Sequence, residues 1–365
     1  AILAQAVLGQ GPGSSENCRR APIYFRAPGP AGRPPAKRFA MSKWIEEELE
    51  DGLRGMYRLK KIVASTRSKW QQVDVMDLEP FGRCLMIDGL LQSTEADEFV
   101  YHESLVHPAM LLHQCPKTVF IGGGGEGATA REVLRHKSVV KCVMVDIDED
   151  VVRFCKDHLP ENKEAWVDPR LELVIDDAKK ILEESQRKFD VIIMDLDDPL
   201  EGGPCYQLYT KEFYEMCRTK LQPGGVLVTQ ASQAGITRHH IVWSAVNSTL
   251  RAVFPRVFPY SRAIYSFMDE WGWHLALSDT EATSALSPEE VDKRIKDRIQ
   301  GELRFLDGES WQGLFALSKR HRQTLRKETC VMTKGTHRFV HMAAAEDNVR
   351  ADNAVTKRAL PESGA

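Results

Sequence analysis

The chain has 365 residues, 42% of them hydrophobic, with 49 basic and 52 acidic side chains giving a formal net charge of −3. At about 150 residues per domain, that length predicts two domains, one of them small. The balanced charge, without a basic block, argues against a nucleic-acid-binding surface, and no apolar run reaches the roughly 18 residues of a membrane span.

Residues 1–40 stand apart. They carry six basic residues (Arg19, Arg20, Arg26, Arg33, Lys37, Arg38) and one acid, Glu16, among Gly, Pro and Ala. This composition fits an organellar transit peptide, or else an untranslated leader or expression scar with Met41 as the start. In either case 1–40 is expected to be disordered. The eight cysteines (18, 84, 115, 142, 155, 205, 217, 330) form no C-x-x-C pair. They are expected to be reduced thiols of an intracellular protein, which points to the cytoplasm unless the leader targets an organelle.

Residues 43–59 are acidic and predict a helix. Short runs at 71–77, 84–87 and 90–94, separated by Glu-Pro-Phe-Gly and Asp-Gly, predict a β-meander and a small domain over 41–96. The pattern turns helical at 97–113. Beyond Pro116, strands at 118–121, 141–145, 171–175, 191–194 and 226–230 alternate with helices at 128–135, 149–158, 178–186 and 211–220. Such alternation specifies an α/β, Rossmann-like parallel sheet with helices on both faces, here over 97–342. A further helix at 241–254 and an antiparallel finish follow. The Ala-rich tail, 343–365, is expected to be mobile.

The segment Phe120-Ile-Gly-Gly-Gly-Gly-Glu-Gly127 joins the first of these strands to its helix. Its glycines allow a tight turn and close approach of a ligand to the backbone. Asp146 ends the next strand, where a carboxylate grips a ribose diol. A nucleoside is therefore expected at the strand ends. Glu126, inside the turn, repels phosphate and suits a cation or a sugar hydroxyl, so the nucleoside is expected to be phosphate-free and positively charged, as sulfonium compounds are.

Ligands of open parallel sheets bind beyond the carboxyl ends of the strands. Acids recur there: Glu126, Asp146 and Asp148, Asp176 and Asp177, then Asp195-Leu-Asp197-Asp198-Pro199 with Glu201 behind. Each alone is an ordinary surface acid; together at one sheet edge they suit a second, polycationic ligand. Tyr101, Tyr206, Tyr209, Phe267, Trp271 and Trp273 would hold its methylenes, with core packing an equal claim on Trp271 and Trp273. His239-His240 and the basic stretch 319–327 are read as solvated helix faces.

These segments resemble the polyamine aminopropyltransferases, the spermidine, spermine and thermospermine synthases. The residues that carry the resemblance are Ile87-Asp-Gly-Leu-Leu-Gln-Ser-Thr-Glu-Ala-Asp-Glu-Phe-Val-Tyr-His-Glu103, Gly122 to Gly127, Asp146-Ile-Asp148 and Asp195 to Pro199. Gly202-Gly-Pro-Cys-Tyr-Gln-Leu-Tyr209, with Glu126 in place of the aspartate usual in spermidine synthases, looks most like the plant-type thermospermine synthases. The resemblance implies a methyltransferase-type fold and an aminopropyl group moved from decarboxylated S-adenosylmethionine to a polyamine, spermidine above others, without a metal. It implies Asp195 as catalytic aspartate with Tyr101 beside it. It implies donor contacts from Gln71, Gly123, Gly124, Gly125, Glu126, Asp146, Ile147, Asp176, Asp177, Ala178 and Asp195. Acceptor contacts would come from His102, Glu103, Asp198, Glu201, Tyr206, Gln230, Phe267 and Trp271. His102 stands where the family usually has glutamine, and Phe267 where spermidine synthases often have tyrosine. A homodimer or homotetramer joined through the small domain is implied as well. A spermine or spermidine synthase, a methyltransferase and a non-enzymatic polyamine-binding relative are the alternatives.

Overall fold

The computed structural model describes residues 43–50, 52–201, 203, 205–278 and 286–340. The leader expected at 1–40 and the tail expected at 343–365 lie outside the described residues.

Five strands form an antiparallel meander in sequential order: β1 (Lys43–Glu50), β2 (Leu53–Arg67), β3 (Gln72–Glu79), β4 (Gly82–Ile87) and β5 (Leu90–Thr94). The helix expected over 43–59 is absent. That stretch is instead β1 and the start of β2, paired from Lys43 against Leu59 to Glu50 against Leu53. Glutamates favour helices, but the pairing partner overrides that weak local preference. Gly52, at φ 80°, supplies the left-handed turn between the two strands.

The helix α1 (Glu98–Leu112) leads into the larger sheet: β6 (Thr118–Gly123), α2 (Ala128–Leu134), β7 (Lys141–Asp146), α3 (Glu149–His158), α4 (Lys163–Val167), β8 (Leu171–Ile175), α5 (Ala178–Glu184), β9 (Phe189–Asp195), α6 (Lys211–Lys220), β10 (Leu221–Gln233), α7 (Trp243–Arg251), β11 (Arg256–Ile264) and β12 (Asp269–Leu277). Three helices follow: α8 (Pro288–Arg298), α9 (Gly308–Phe315) and α10 (Lys319–Lys327). The strand order is β11-β12-β10-β9-β6-β7-β8. β8, β7, β6, β9 and β10 run parallel, and β12 and β11 close the edge antiparallel. This is the Rossmann-like architecture, with helices on both faces. Strand residues alternate between two cores: Val119, Ile121, Val191 and Ile193 pack with α1, α2, α8 and α9, whereas Phe120, Ile192 and Met194 pack with α5, α6 and α7.

The meander docks on the larger sheet through Val73, Val75 and Leu85 against Val151, Cys155 and Leu159 of α3 and its end. Each fully buried aliphatic side chain contributes on the order of 1.5–3 kcal/mol, so this contact holds the small sheet over the strand ends. The seven cysteines among the described residues are free. Among the described residues no helix is long and apolar enough to cross a membrane. The basic stretch 319–327 is α10, whose His321 is buried and lies 2.7 Å from the Ala234 carbonyl, and His239 bonds Gly235 and Thr324.

Candidate active site

The direction of chain progression reverses at β6, which has β7 on one side and β9 on the other. The crevice at such a switch point is where ligands of open α/β sheets bind. Gly123, at φ 80°, lies in register with Asp195, and a Cβ there would stand 2.1 Å from the Asp195 carbonyl oxygen. Gly125 donates its N–H to Asp146 Oδ2 at 2.8 Å, and a Cβ on Gly125 would meet that same oxygen at 2.6 Å. Only glycine lets the turn press this closely on the two acids. Asp146 Oδ1 accepts the Asp148 N–H at 2.9 Å, so the carboxylate is fixed at the end of β7. Asp148 caps α3 and accepts hydrogen bonds from Ser68 Oγ (2.6 Å) and Gln71 Nε2 (3.1 Å), which tie the small sheet to the crevice.

Two adjoining cavities open here. One, of about 390 Å³, is lined by Gly123, Gly124, Gly125, Glu126, Asp146, Ile147, Asp177, Ala178 and Asp195, with Gln71 and His102 opposite. The other, of about 670 Å³, is lined by Glu47, Glu48, Glu50, Asp88, Asp197, Asp198, Gln230, Gln233, Phe267 and Trp271. They share Trp70, Gln71, Ile87, Gln92, Tyr101, Leu196, Asp197 and Cys205. Beside this shared wall, in the smaller cavity, the Asp195 carboxylate is held by two hydroxyls, Tyr101 Oη on Oδ1 at 2.9 Å and Thr129 Oγ1 on Oδ2 at 2.5 Å.

The larger cavity combines acids with an aromatic wall. Phe267 packs edge-to-face on Trp271 (4.9 Å) and on Tyr101 (6.1 Å). The Trp271 indole donates to Gln230 Oε1 at 3.2 Å, and Gln230 Nε2 reaches Tyr209 Oη (2.6 Å) and Asp198 Oδ1 (3.3 Å). Ser232 Oγ holds the other Asp198 oxygen at 3.0 Å. Burial pushes Asp198 up to about 6, against those hydrogen bonds. Asp197, on the open concave wall but enclosed by protein, is pushed up to about 7 by burial and then by Asp146, Asp198, Asp195 and Asp88. In the smaller cavity burial pushes Asp146 up to about 6 and Glu126 to about 7. Acids crowded out of water and against each other bind protons until a cation replaces them.

Profiles of two known domains cover this chain: the spermidine synthase tetramerisation domain matches residues 43–95 and the spermine/spermidine synthase domain residues 98–287. The chain belongs to the spermine/spermidine synthase family. It is a transferase of the polyamine aminopropyltransferase type. It is similar to the thermospermine synthase ACAULIS5 of Arabidopsis thaliana, 46% identical over 82% of this chain and 87% of that protein. Polyamine aminopropyltransferase 2 of Hyperthermus butylicus is 43% identical over 78% of this chain and 92% of its own length. Among solved structures, spermidine synthase from Thermotoga maritima superposes with a TM-score of 0.71 at 28% identity, over 80% of this chain and 98% of that one. A spermidine synthase in complex with the transition-state analogue AdoDATO gives 0.72 at 28% identity, over 80% and 99%.

The structure brings most of the residues singled out from this family's pattern to the two cavities: Gln71, Gly123, Gly124, Gly125, Glu126, Asp146, Ile147, Asp177, Ala178, Tyr101, His102, Asp195, Asp198, Gln230, Phe267 and Trp271. Four lie elsewhere. Glu103, fully buried, accepts the backbone N–H groups of Arg304, Phe305 and Leu306 at 2.8, 2.9 and 2.8 Å, so it ties α1 to the segment before α9. Asp176 pairs with Lys180 at 2.8 Å outside the cavity walls, and Glu201 is exposed. Tyr206 packs on His337 and Phe339. Trp273 is fully buried and stacks on Tyr260, whereas Trp271 faces the cavity. Absent from the sequence-based set are Thr129, Glu47, Glu48, Glu50 and Asp88, and Asp197 entered only as one of the strand-end acids, with no role of its own. Asp197 was visible in the acid cluster; the acids of β1 were masked by their helical composition.

Glu98, His102 and Glu126 place ligand-type atoms within 4.8 Å of one another. Both Glu98 oxygens already accept Arg131 Nη2, at 3.0 and 2.8 Å, so a guanidinium fills the place of a bound cation there.

Proposed function

We propose that this aminopropyltransferase uses decarboxylated S-adenosylmethionine as donor and spermidine as acceptor, forming thermospermine and methylthioadenosine. The observation that carries this reading is the meeting of two cavities at Tyr101, which bonds Asp195 in the smaller one; one cavity is suited to a nucleoside and the other to a polycation. Asp146 would hold the ribose hydroxyls, Asp177 the adenine amine, and Glu126 with Gln71 the ribose and sulfonium end. The glycine turn and Ala178 leave room for the ring system. Asp197, Asp198 and the β1 acids would pair with acceptor ammonium groups, while Phe267 and Trp271 pack on the methylenes between them. The likeness to ACAULIS5 supports thermospermine as the product. The tetramerisation-domain match supports assembly of a homodimer or homotetramer through a small domain that ends near residue 96.

Asp195, oriented by Tyr101 and Thr129, would take the proton of the attacking nitrogen. The nitrogen lone pair forms the new C–N bond as the C–S bond breaks, and that bond's electrons stay on sulfur. A sulfonium is already a good leaving group, so this chemistry needs no metal. Alignment of the two cavities supplies much of the acceleration. Calorimetric titration tests the two-cavity reading: spermidine should bind protein already saturated with methylthioadenosine. Mutual exclusion of the two ligands would overturn it.

A further inference from the structure

His102 follows Tyr101 on α1, and its ring borders the smaller cavity while being only 3% exposed. Its Nδ1 lies 2.8 Å from both the Glu98 carbonyl oxygen and Glu98 Oε2. Both are acceptors, so Nδ1 carries a proton. Its Nε2 faces Glu126 Oε2 at 4.0 Å. Glu98, 5% exposed, is anchored by Arg131, and Glu126 Oε1 accepts Ser93 Oγ at 2.8 Å.

We propose that His102 is a positioning residue for the donor: its imidazolium, clamped by Glu98 and Arg131, stabilises the carboxylate form of Glu126 and orients it in the nucleoside cavity. This inference rests on the assignment of that cavity to the donor. The charge count favours it. Arg131 already serves Glu98 and Glu132, which leaves the Glu126 carboxylate with His102 as its nearest cation. The other groups facing the pair are Asp195 of β9, Tyr101 of α1, Ser93 of β5 and the Cys155 thiol of α3. None of these carries positive charge. Burial opposes charge on both partners, yet the Glu98 hydrogen bond and the charges of Glu126, Glu98 and Asp195 hold His102 up at about 9. An amide here could donate a hydrogen bond but would bring no charge, and Glu126 would then protonate at higher pH.

The test is donor affinity against pH, measured calorimetrically with decarboxylated S-adenosylmethionine on the full chain, for wild type, His102→Gln, Glu126→Gln and the double variant. His102→Gln should bind about 5-fold more weakly at pH 7, with the gap nearly closed by pH 9, because a one-unit rise from about 7 leaves roughly a tenth of Glu126 ionised at pH 7 against about half in wild type, and most of it ionised at pH 9 in both. Glu126→Gln should lose affinity at both pH values, about 2-fold more at pH 9, where the wild-type carboxylate is fully ionised, and adding His102→Gln to it should cost nothing more. A His102→Gln loss that is the same at pH 7 and pH 9, or an additive double variant, would mean that His102 only fills space. No loss at all would likewise overturn the proposal. Wild-type protein that fails to bind this donor would refute the donor assignment itself, a separate outcome.

Discussion

The Tyr101 hydroxyl donates to Asp195 Oδ1 at 2.9 Å across 94 residues of sequence. With Thr129 on the other oxygen, the carboxylate is held from α1 and α2 in the wall of the smaller cavity, next to Tyr101, which lines both. Asp195→Asn keeps the shape and removes the proton acceptor, so turnover should fall by at least ~100-fold in line with general-base contributions. Tyr101→Phe leaves the base but frees one oxygen, and the loss should be smaller. Steady-state rates of methylthioadenosine release measure both; an equally severe Tyr101→Phe defect would make Tyr101 itself the proton carrier.

Acceptor binding should be linked to protons. Asp198 at about 6 and Asp197 at about 7 stand above the ordinary 3.8 of an aspartate. Each raised acid binds more protons in the folded chain, so its contribution to stability is present below pH 4 and fades as pH rises towards 6 or 7. A polyamine pairs with the ionised form, so its stabilising effect should grow across that same window. Thermal unfolding with and without spermidine should show a larger shift at pH 7.5 than at pH 5.5. The reverse order would remove these two acids from the acceptor site.

Gly123→Ala should be severe. The residue would sit at φ 80° with its Cβ 2.1 Å from the Asp195 carbonyl oxygen, so backbone must move where the Asp195 carboxylate is held. Left-handed strain alone costs about 1–3 kcal/mol. Gly224→Ala provides the control, with similar φ (75°) and nothing within 4 Å of the added Cβ. Thermal melts should separate the two, and Gly123→Ala should also lose donor binding.

Glu103→Ala should unfold rather than starve the enzyme. It strips the acceptor from three backbone N–H groups, that of Leu306 buried, a loss on the order of 3 kcal/mol. Denaturant titration should show that loss, with KM for both substrates little changed in the fraction that stays folded.

These residues mark what the sequence could carry. Apolar runs alternating with amphipathic helices specified the parallel sheet, because strands covered on both faces must be continuously apolar. The acids after β6, β7 and β9 were legible because strand ends at a switch point converge. Glu103 was not separable from its neighbours Tyr101 and His102, since its partners lie about 200 residues away. Asp176 and Asp177 are adjacent in sequence, and only the turn into α5 sends one to Lys180 and the other to the cavity. β1 read as a helix because its glutamates, three of which line the larger cavity, are also strong helix formers. Ligand chemistry and local propensity gave the same letters there.

Transfer of the aminopropyl group to spermidine should give thermospermine. Purified protein should be incubated with decarboxylated S-adenosylmethionine and either spermidine or putrescine, and the products separated by chromatography that resolves thermospermine from spermine. Thermospermine from spermidine, with little product from putrescine, is the predicted result. Spermine or spermidine as the main product, or no transfer by folded protein, would contradict it.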